Sequence, residues 1–224
     1  MTALDQSTDD SAEPGIVLRA RRELAAAIRR GDYKPNQRLV ESDLTAAFAV
    51  SRATLRAVFI ALEQENYISL EHNRGARVRQ FSPAEAVDIL DTRVILEAAA
   101  AGLAAARITD EECDRLEAIV MQMADSIAEG DEERHSVCNR EFHGLVVAAA
   151  RQPLLAQFVA ATPYPLVISQ YRDTQASHPR ADSLLEHRAI VAALRVRNSV
   201  AAEAVMRAHN IAVHSGLAVP DEAR

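Results

Sequence analysis

Apolar residues recur at helical spacing along most of the chain, and short polar turns separate the runs. In the first 80 residues this pattern predicts a helix that ends near Gly31, a short helix at 41–48 and a third helix at 52–65. Ser51 is a suitable N-cap for the third helix. One stripe of that helix has the spacing of a buried face: Leu55, Val58, Phe59 and Leu62. Residues 67–70 and 76–79 have the pattern of two strands joined by a turn, so this region predicts a winged helix-turn-helix.

Beyond Phe81 the pattern is helical almost throughout. Ser82 and Pro83 mark a helix start, and helices are expected at 84–106, 109–129, 132–150, 153–175, 181–196 and 199–215. Pro163 and Pro165 interrupt the fourth of these, and the pattern leaves open whether they kink one helix or separate two. The predicted fold class is mainly α: an N-terminal winged helix-turn-helix with a small β-hairpin wing, followed by an all-α helical bundle.

The sequence divides into four predicted segments. We expect a disordered acidic tail at 1–15, a DNA-binding domain at 16–80, a helical domain at 81–216 and a second tail at 217–224. The whole chain has a formal charge of -7, but residues 16–80 hold 12 Arg and Lys against 7 Asp and Glu, a net of +5. Residues 81–224 hold 13 against 21, a net of -8. A basic first domain indicates a polyanionic partner.

Cysteine spacing and hydropathy predict a cytoplasmic protein without a membrane partner. Cys113 and Cys138 stand in neither a disulfide-framework nor a zinc-ribbon spacing. The N-terminus lacks the basic and apolar regions of a secretory signal, and no apolar run approaches membrane-spanning length.

Two arginines on the third helix are candidates for reading DNA. Arg52 and Arg56 are four residues apart and therefore share one side of that helix. Their guanidinium groups can contact phosphates or make a bidentate contact to guanine, and Ser51 and Thr54 can add phosphate or base contacts. Two arginines alone are more often a solvated face. A short helix, a tight turn, this helix and a wing tipped by Arg74-Gly75 occur in the order of a DNA-binding motif.

The same region resembles the GntR family of bacterial regulators. The resemblance spans nearly all of residues 16–80 and rests on Ile28-Arg29-Arg30-Gly31, Pro35, Arg38-Leu39, Glu41, Leu44, Val50-Ser51-Arg52-Ala53-Thr54-Leu55-Arg56 and Leu62-Glu63. It implies that Arg52 and Arg56 are the principal DNA-contacting arginines and that Gly75 lets the wing approach the minor groove. Asp43, Ala57 and Asn66 depart from the usual family residues, so the operator sequence cannot be carried over.

Histidines in the second half form a candidate metal site. Asn139 and His143 are spaced to share one helical face, and His187 and His209 lie on two later predicted helices. Three converging imidazoles would suit zinc, nickel or another borderline divalent metal. A purely structural polar core is the alternative, since sequence spacing does not show convergence.

Residues 84–214 resemble the FCD ligand-binding domain of the FadR-like subgroup in the segments Arg93 with Glu97, Phe142-His143, Glu186-His187-Arg188 and Ala208-His209. Many members bind a metal through one aspartate and three histidines. Here Asn139 occupies the aspartate position, which removes one negative charge and should lower the affinity for the metal. Arg93 is a candidate partner for a carboxylate effector. Its alternative role is an intrahelical ion pair with Glu97.

These features predict a ligand-responsive regulator that binds a pseudo-palindromic operator in double-stranded DNA as a homodimer. The resemblance implies a repressor, because most members of the family are repressors. A small organic acid in the helical domain would modulate it. The alternative is a metal-dependent enzyme that uses His143, His187 and His209, for which Glu141 or Glu186 could be nominated as a general base only by their position in sequence.

Overall fold

The computed structural model describes residues 14–71, 75–171, 180–215 and 217. Over these residues the elements are α1 (Pro14–Arg30), β1 (Arg38–Leu39), α2 (Glu41–Phe48), α3 (Arg52–Gln64), β2 (Ile68–Glu71), β3 (Gly75–Val78), α4 (Pro83–Ala105), α5 (Asp110–Glu129), α6 (Glu132–Ala149), α7 (Pro153–Ala161), α8 (Tyr164–Tyr171), α9 (Arg180–Arg195) and α10 (Ser199–Ser215). The predicted fold class is confirmed. Helix α1 begins at Pro14, within the predicted first tail, and the rest of both predicted tails, apart from Leu217, lies outside the described residues.

The chain forms two compact units. Unit 1 is Met1–Phe81 together with Pro165–Gln170, and unit 2 is Ser82–Tyr164 together with Tyr171–Arg224. Most of unit 1 is the predicted DNA-binding region, but the short segment from α8 belongs to it as well. The Ser169 hydroxyl donates to the Arg29 carbonyl at 2.7 Å, and the Gln170 amide bonds both the N–H and the carbonyl of Phe81 at 2.9 and 2.7 Å.

Helices α2 and α3 meet at a tight turn. Ala49 adopts a left-handed conformation with φ 50°, which ends α2. The Ser51 hydroxyl then accepts a hydrogen bond from the Thr54 N–H at 3.1 Å and so caps α3, as predicted. Four α3 side chains predicted to be buried are at most 2% exposed: Leu55, Val58, Phe59 and Leu62.

The wing is a three-stranded antiparallel sheet in the order β1-β3-β2. The sequence predicted only the hairpin of β2 and β3. Strand β1 was missed because its two residues are too few to show an alternating pattern. Its pairing with β3 places Arg38 opposite Arg77, and the bond from Val78 N–H to the Gln37 carbonyl, 2.9 Å, continues it.

Unit 2 is a helical bundle in which α4 packs against α6, α7, α9 and α10. Reciprocal hydrogen bonds between Ser82 and Glu85, and between Thr109 and Glu112, start α4 and α5. Alanines on α4 are fully buried and allow close helix packing: Ala98, Ala100, Ala101, Ala104 and Ala105.

The two prolines separate two helices, α7 and α8, because Thr162 between them is extended at φ -72° and ψ 130°. Helix α8 is described as far as Tyr171, and the rest of the predicted helix, residues 172–175, lies outside the described residues. Among the described helices, none is by itself long and apolar enough to cross a bilayer. Taken together, α2 and α3 meet those two criteria, with a bend of 103° between them.

Candidate functional site

Helix α3 presents two arginine side chains that the protein does not use internally. Arg52 and Arg56 are exposed, and neither has an ion pair or a side-chain hydrogen bond with any other described residue. Other arginines of unit 1 brace the fold: Arg21 pairs with Glu65, and Arg29 donates to the Tyr67 hydroxyl at 2.6 Å. The two α3 guanidinium groups therefore keep all their hydrogen-bond donors for an external partner.

Thr54 and Ser51 have a different environment. Thr54 is 5% exposed, and its hydroxyl lies 3.0 Å from that of Ser51. This burial favours a role for Thr54 in capping α3 over the predicted contact with DNA. Ser51 is exposed at the start of the helix, where its DNA contact stays a prediction.

The sheet adds a further exposed cation. Arg38 on β1 lies directly across from Arg77 on β3, yet only Arg77 is engaged, at 3.0 Å from the Asn36 carbonyl and 3.4 Å from Glu71. Arg38 has no ion pair among the described residues. Opposed like charges on neighbouring strands destabilise a sheet unless an anion approaches them. Gly75 has φ 85°, a conformation that favours glycine, while Arg74 lies outside the described residues.

In unit 2, three histidines from three helices converge. His143 on α6, His187 on α9 and His209 on α10 each place a ring nitrogen within 4.8 Å of the others. All three side chains are buried, at most 8% exposed by residue. The predicted convergence of the imidazoles is therefore present in the structure.

The Nδ1 atom of each ring faces a group behind it: it is hydrogen-bonded in His187 and His209, whereas in His143 it lies at ion-pair distance and makes no hydrogen bond with a described residue. That atom lies 3.1 Å from Glu97 Oε2 in His143, 2.7 Å from the Ser183 carbonyl in His187 and 2.8 Å from Glu186 Oε2 in His209. Carboxylate and carbonyl partners of this kind orient imidazoles in metal sites. The Nε2 atom of His187 is buried without a hydrogen-bond partner among the described residues. Burial, together with the charges of His209 and His143, lowers the pKa of His187 to about 2, so its ring is neutral, as a metal ligand must be.

Glu97 and Arg93 form a buried network beside the histidines. Glu97 is 2% exposed; its Oε1 is 2.5 Å from Arg93 Nη2, and its Oε2 accepts from Asn210 Nδ2 at 3.0 Å. Burial alone would raise the pKa of Glu97, but His143, Arg93 and Asn210 outweigh it and hold the pKa far below its usual range. Glu97 is therefore an anion at neutral pH.

Arg93 is also engaged on its other side, although its Nε is buried without a hydrogen-bond partner among the described residues. It donates to the Val159 carbonyl at 2.9 Å and to the Thr162 hydroxyl at 3.2 Å, and it lies 4.8 Å from the centre of the Tyr164 ring. The ion pair with Glu97, one of the two roles predicted for Arg93, is present in the structure. A role in effector binding stays a prediction.

Asn139 is half-buried one turn before His143 on α6, and the i, i+4 spacing gives both the same helical face. Its place as a fourth ligand stays a prediction. Two surface grooves in unit 2, of about 460 Å³ between α4 and α10 and about 480 Å³ between α5 and α9, are lined by other residues.

Comparison with known proteins agrees with both units. Residues 17–78 match the model of "Bacterial regulatory proteins, gntR family", and residues 88–212 match that of the FCD domain, which alone covers more than half of the chain. The chain belongs to the GntR family. It is therefore a DNA-binding transcriptional regulator with an FCD domain, as the sequence predicted.

Relatives of this regulator cover most of it. The HTH-type transcriptional repressor GlaR of Escherichia coli is 28% identical over 81% of this chain and 86% of its own length, and LutR of Bacillus subtilis is 26% identical over 81% and 92%. Among solved structures, E. coli McbR/YncC has a TM-score of 0.75 at 19% identity, covering 88% of this chain and 96% of that one. A GntR regulator from Rhodococcus sp. RHA1 has a TM-score of 0.71 at 22% identity over 88% and 94%. These two structures show the shared fold.

Several residues of this regulator's candidate sites escaped the sequence reasoning. Arg38 was noted only as part of the family resemblance, because β1 was not predicted. Glu186 was considered only as a general base, whereas the structure places its carboxylate 2.8 Å from His209 Nδ1. The contact of Asn210 with Glu97 crosses 113 residues and carries no local signal.

Proposed function

We propose that this regulator is a ligand-responsive repressor that binds a pseudo-palindromic operator as a homodimer. The observation that carries the proposal is the pair of exposed, internally unused guanidinium groups of Arg52 and Arg56 on a helix whose start is fixed by Ser51. Arginines that are neither paired nor buried can meet guanine or phosphate without first losing an internal partner. The predicted contacts of Ser51, Arg74 and Gly75 would complete the surface, and the exposed Arg38 of β1 is added to them. The repressor named GlaR supports the direction of control.

A small carboxylate is the effector that the helical unit fits best. Arg93 is 14% exposed at its side chain and already binds one carboxylate, that of Glu97. A guanidinium group matches the two oxygens of a carboxylate in one plane, which makes an organic acid the ligand class that Arg93 recognises. The proposed site of action is DNA in the cytoplasm.

The histidine cluster fits a divalent metal such as zinc or nickel. His143, His187 and His209 would hold it, with Asn139 as a neutral fourth ligand, because three oriented imidazoles are a suitable donor set for either ion. A bound metal would supply a positive charge for an oxygen of the acid. The orphaned Nε2 of His187 supports this assignment, since most buried polar atoms in proteins are paired, and His143 Nδ1 in the same cluster also lacks a hydrogen-bond partner among the described residues.

We propose no catalytic role for the cluster. Glu186, one of the two candidate general bases, is engaged by His209 at 2.8 Å. The other, Glu141, is exposed and lies 3.9 Å from Arg115. Glu186 therefore orients a ring, and Glu141 lies on the surface, so neither is placed as the base that hydrolysis at a metal requires.

The test of DNA recognition is binding to the DNA upstream of the protein's own gene, measured by fluorescence anisotropy across a salt series. Arg52→Ala and Arg56→Ala should each weaken specific binding by about 1–3 kcal/mol if they contact guanine. A phosphate contact would instead lower the slope of affinity against salt by about one unit. Arg115→Ala, an exposed arginine of unit 2, is the matched control. Unchanged affinity and unchanged salt slope in both α3 variants would contradict the proposed docking.

A further inference from the structure

The carboxylate of Glu97 faces two groups that belong to different candidate sites. Its Oε2 lies 3.1 Å from His143 Nδ1, on the side of the histidine cluster, and its Oε1 lies 2.5 Å from Arg93 Nη2, on the side proposed for the effector. Glu97 is 2% exposed, so water does not screen either interaction. One negative charge therefore serves two positive or potentially positive neighbours.

The other contacts of Glu97 keep it in this bridging position. The Asn210 side chain donates to Oε2 at 3.0 Å, and Arg93 is itself fixed by the Val159 carbonyl and the Thr162 hydroxyl. Because Asn210 holds the carboxylate and Arg93 is fixed by its other contacts, a change at Arg93 alters the interaction of Glu97 with His143 without requiring the carboxylate to leave.

We infer that Glu97 is a shared counter-ion that links metal binding at the histidines to carboxylate binding at Arg93. This inference rests on the effector and metal assignments of the proposed function. An acid that takes over Arg93 replaces Glu97 as its partner, which leaves the full charge of Glu97 to His143. A metal held by His143 is then bound more tightly, and by linkage the metal strengthens binding of the acid by the same factor. Glu97 is a positioning residue here and not a ligand.

The charge balance of the histidine cluster gives Glu97 a specific task. Three imidazoles and the amide of Asn139 bring no negative charge, so before the acid binds, a divalent cation held by them would be neutralised only by groups behind the rings. Glu97 and Glu186 are the carboxylates that contact the rings among the described residues. Glu97 is also bound by Arg93, so its contribution to the metal depends on what Arg93 does.

The test is a double-substitution cycle on Zn²⁺ affinity, measured with untagged full-length protein by competition against a colorimetric chelator. Glu97→Gln should lower the affinity for Zn²⁺ by about 10–100-fold, the usual effect of removing a carboxylate that supports a metal-ligating histidine. Arg93→Gln should raise the affinity for Zn²⁺ by roughly tenfold, because Glu97 no longer shares its charge with Arg93. In the double variant the benefit of Arg93→Gln should disappear, since it acts through Glu97.

Additive effects in this cycle would overturn the inference, because a simple loss of positive charge near the metal acts with or without Glu97. Weaker Zn²⁺ binding in Arg93→Gln would overturn it as well, since a merely structural role of the ion pair predicts that result. The double variant removes both buried charges together and avoids an unpaired one, and circular dichroism checks that each variant is folded.

Two controls identify what is titrated. Glu203→Gln breaks a half-buried i, i+4 pair with Arg207, 2.8 Å apart, and should leave Zn²⁺ affinity unchanged. His187→Ala should abolish the measured site. If the wild-type protein binds no Zn²⁺, the inference fails while DNA recognition through Arg52 and Arg56 is untouched, because the titration contains no DNA. Failure of operator binding would leave the cycle unaffected in the same way.

Discussion

Replacing Ser51 separates the stability of the reading helix from its affinity for DNA. In Ser51→Ala the Thr54 N–H loses its acceptor at 3.1 Å, and the buried Thr54 hydroxyl loses its partner at 3.0 Å. Loss of an N-cap costs about 0.5–2 kcal/mol, and the second orphaned group moves the expected value toward about 1.5 kcal/mol. For a unit of this size that corresponds to a fall in Tm of roughly 6–12 °C.

Ser51→Asp supplies the contrast. Aspartate caps helices as well as serine does and adds a favourable interaction with the helix dipole, so the Tm should return to within a few degrees of the wild-type value. Its carboxylate would, however, stand where DNA phosphates approach α3. At a separation of about 6 Å, one such repulsion is worth roughly 0.7–2.8 kcal/mol for an effective dielectric constant of 80 to 20, or about 3- to 100-fold in operator affinity.

The assays are thermal unfolding followed by circular dichroism, and anisotropy with operator DNA at a temperature where every variant is folded. If Ser51→Asp is as unstable as Ser51→Ala, the capping role assigned to Ser51 is wrong. If Ser51→Asp is stable and binds DNA like the wild-type protein, the start of α3 does not face the phosphates, and the docking of unit 1 must be revised.

Three further predictions concern other parts of the fold. Folding lowers the pKa of His187 to about 2 from an ordinary 6.5, so the neutral ring contributes stability above pH 6.5 that is lost as pH falls towards 2. In chemical unfolding, the free energy of unfolding of the metal-free protein should fall by about 2 kcal/mol between pH 6.5 and 5, and that of His187→Gln should fall by less. Gln170→Ala removes both bonds to Phe81 and should cost about 1–3 kcal/mol in chemical unfolding, against no change for the exposed Gln64→Ala. Ala49→Gly relieves a left-handed alanine and should raise the unfolding free energy by up to about 1 kcal/mol, so a loss of stability would show that the turn is not strained.

Local signals in the sequence were enough to predict most helices. The Ser82 and Thr109 starts could be read from capping residues and their glutamates, because those interactions span only three residues. Strand β1 could not be predicted, since its two residues are extended only because β3 lies beside them. The grouping of Pro165–Gln170 with unit 1 was missed for the same reason: the Gln170 contact with Phe81 spans 89 residues.

The histidine cluster shows the same boundary between local and long-range information. Residue types and the FCD resemblance predicted which imidazoles would converge, and the structure brings them together. The groups behind the rings differ in how far they can be foreseen. Ser183 lies one helical turn before His187, which is a local relation. The contact of Glu97 with His143 joins α4 to α6 and depends on how the bundle packs.

Opposite charges in the two parts of the chain restrict how a ligand can control DNA binding. Residues 16–80 carry a net +5 and residues 81–224 a net -8, so phosphates attract the first part and repel the second. The effector proposed for unit 2 would therefore act on DNA binding by binding more tightly to one arrangement of the protein than to another. If that difference is the usual 1–3 kcal/mol, effector should change operator affinity by about 5–150-fold, and operator DNA must change effector affinity by the same factor. Through Glu97, the metal would set the concentration of acid at which this change occurs.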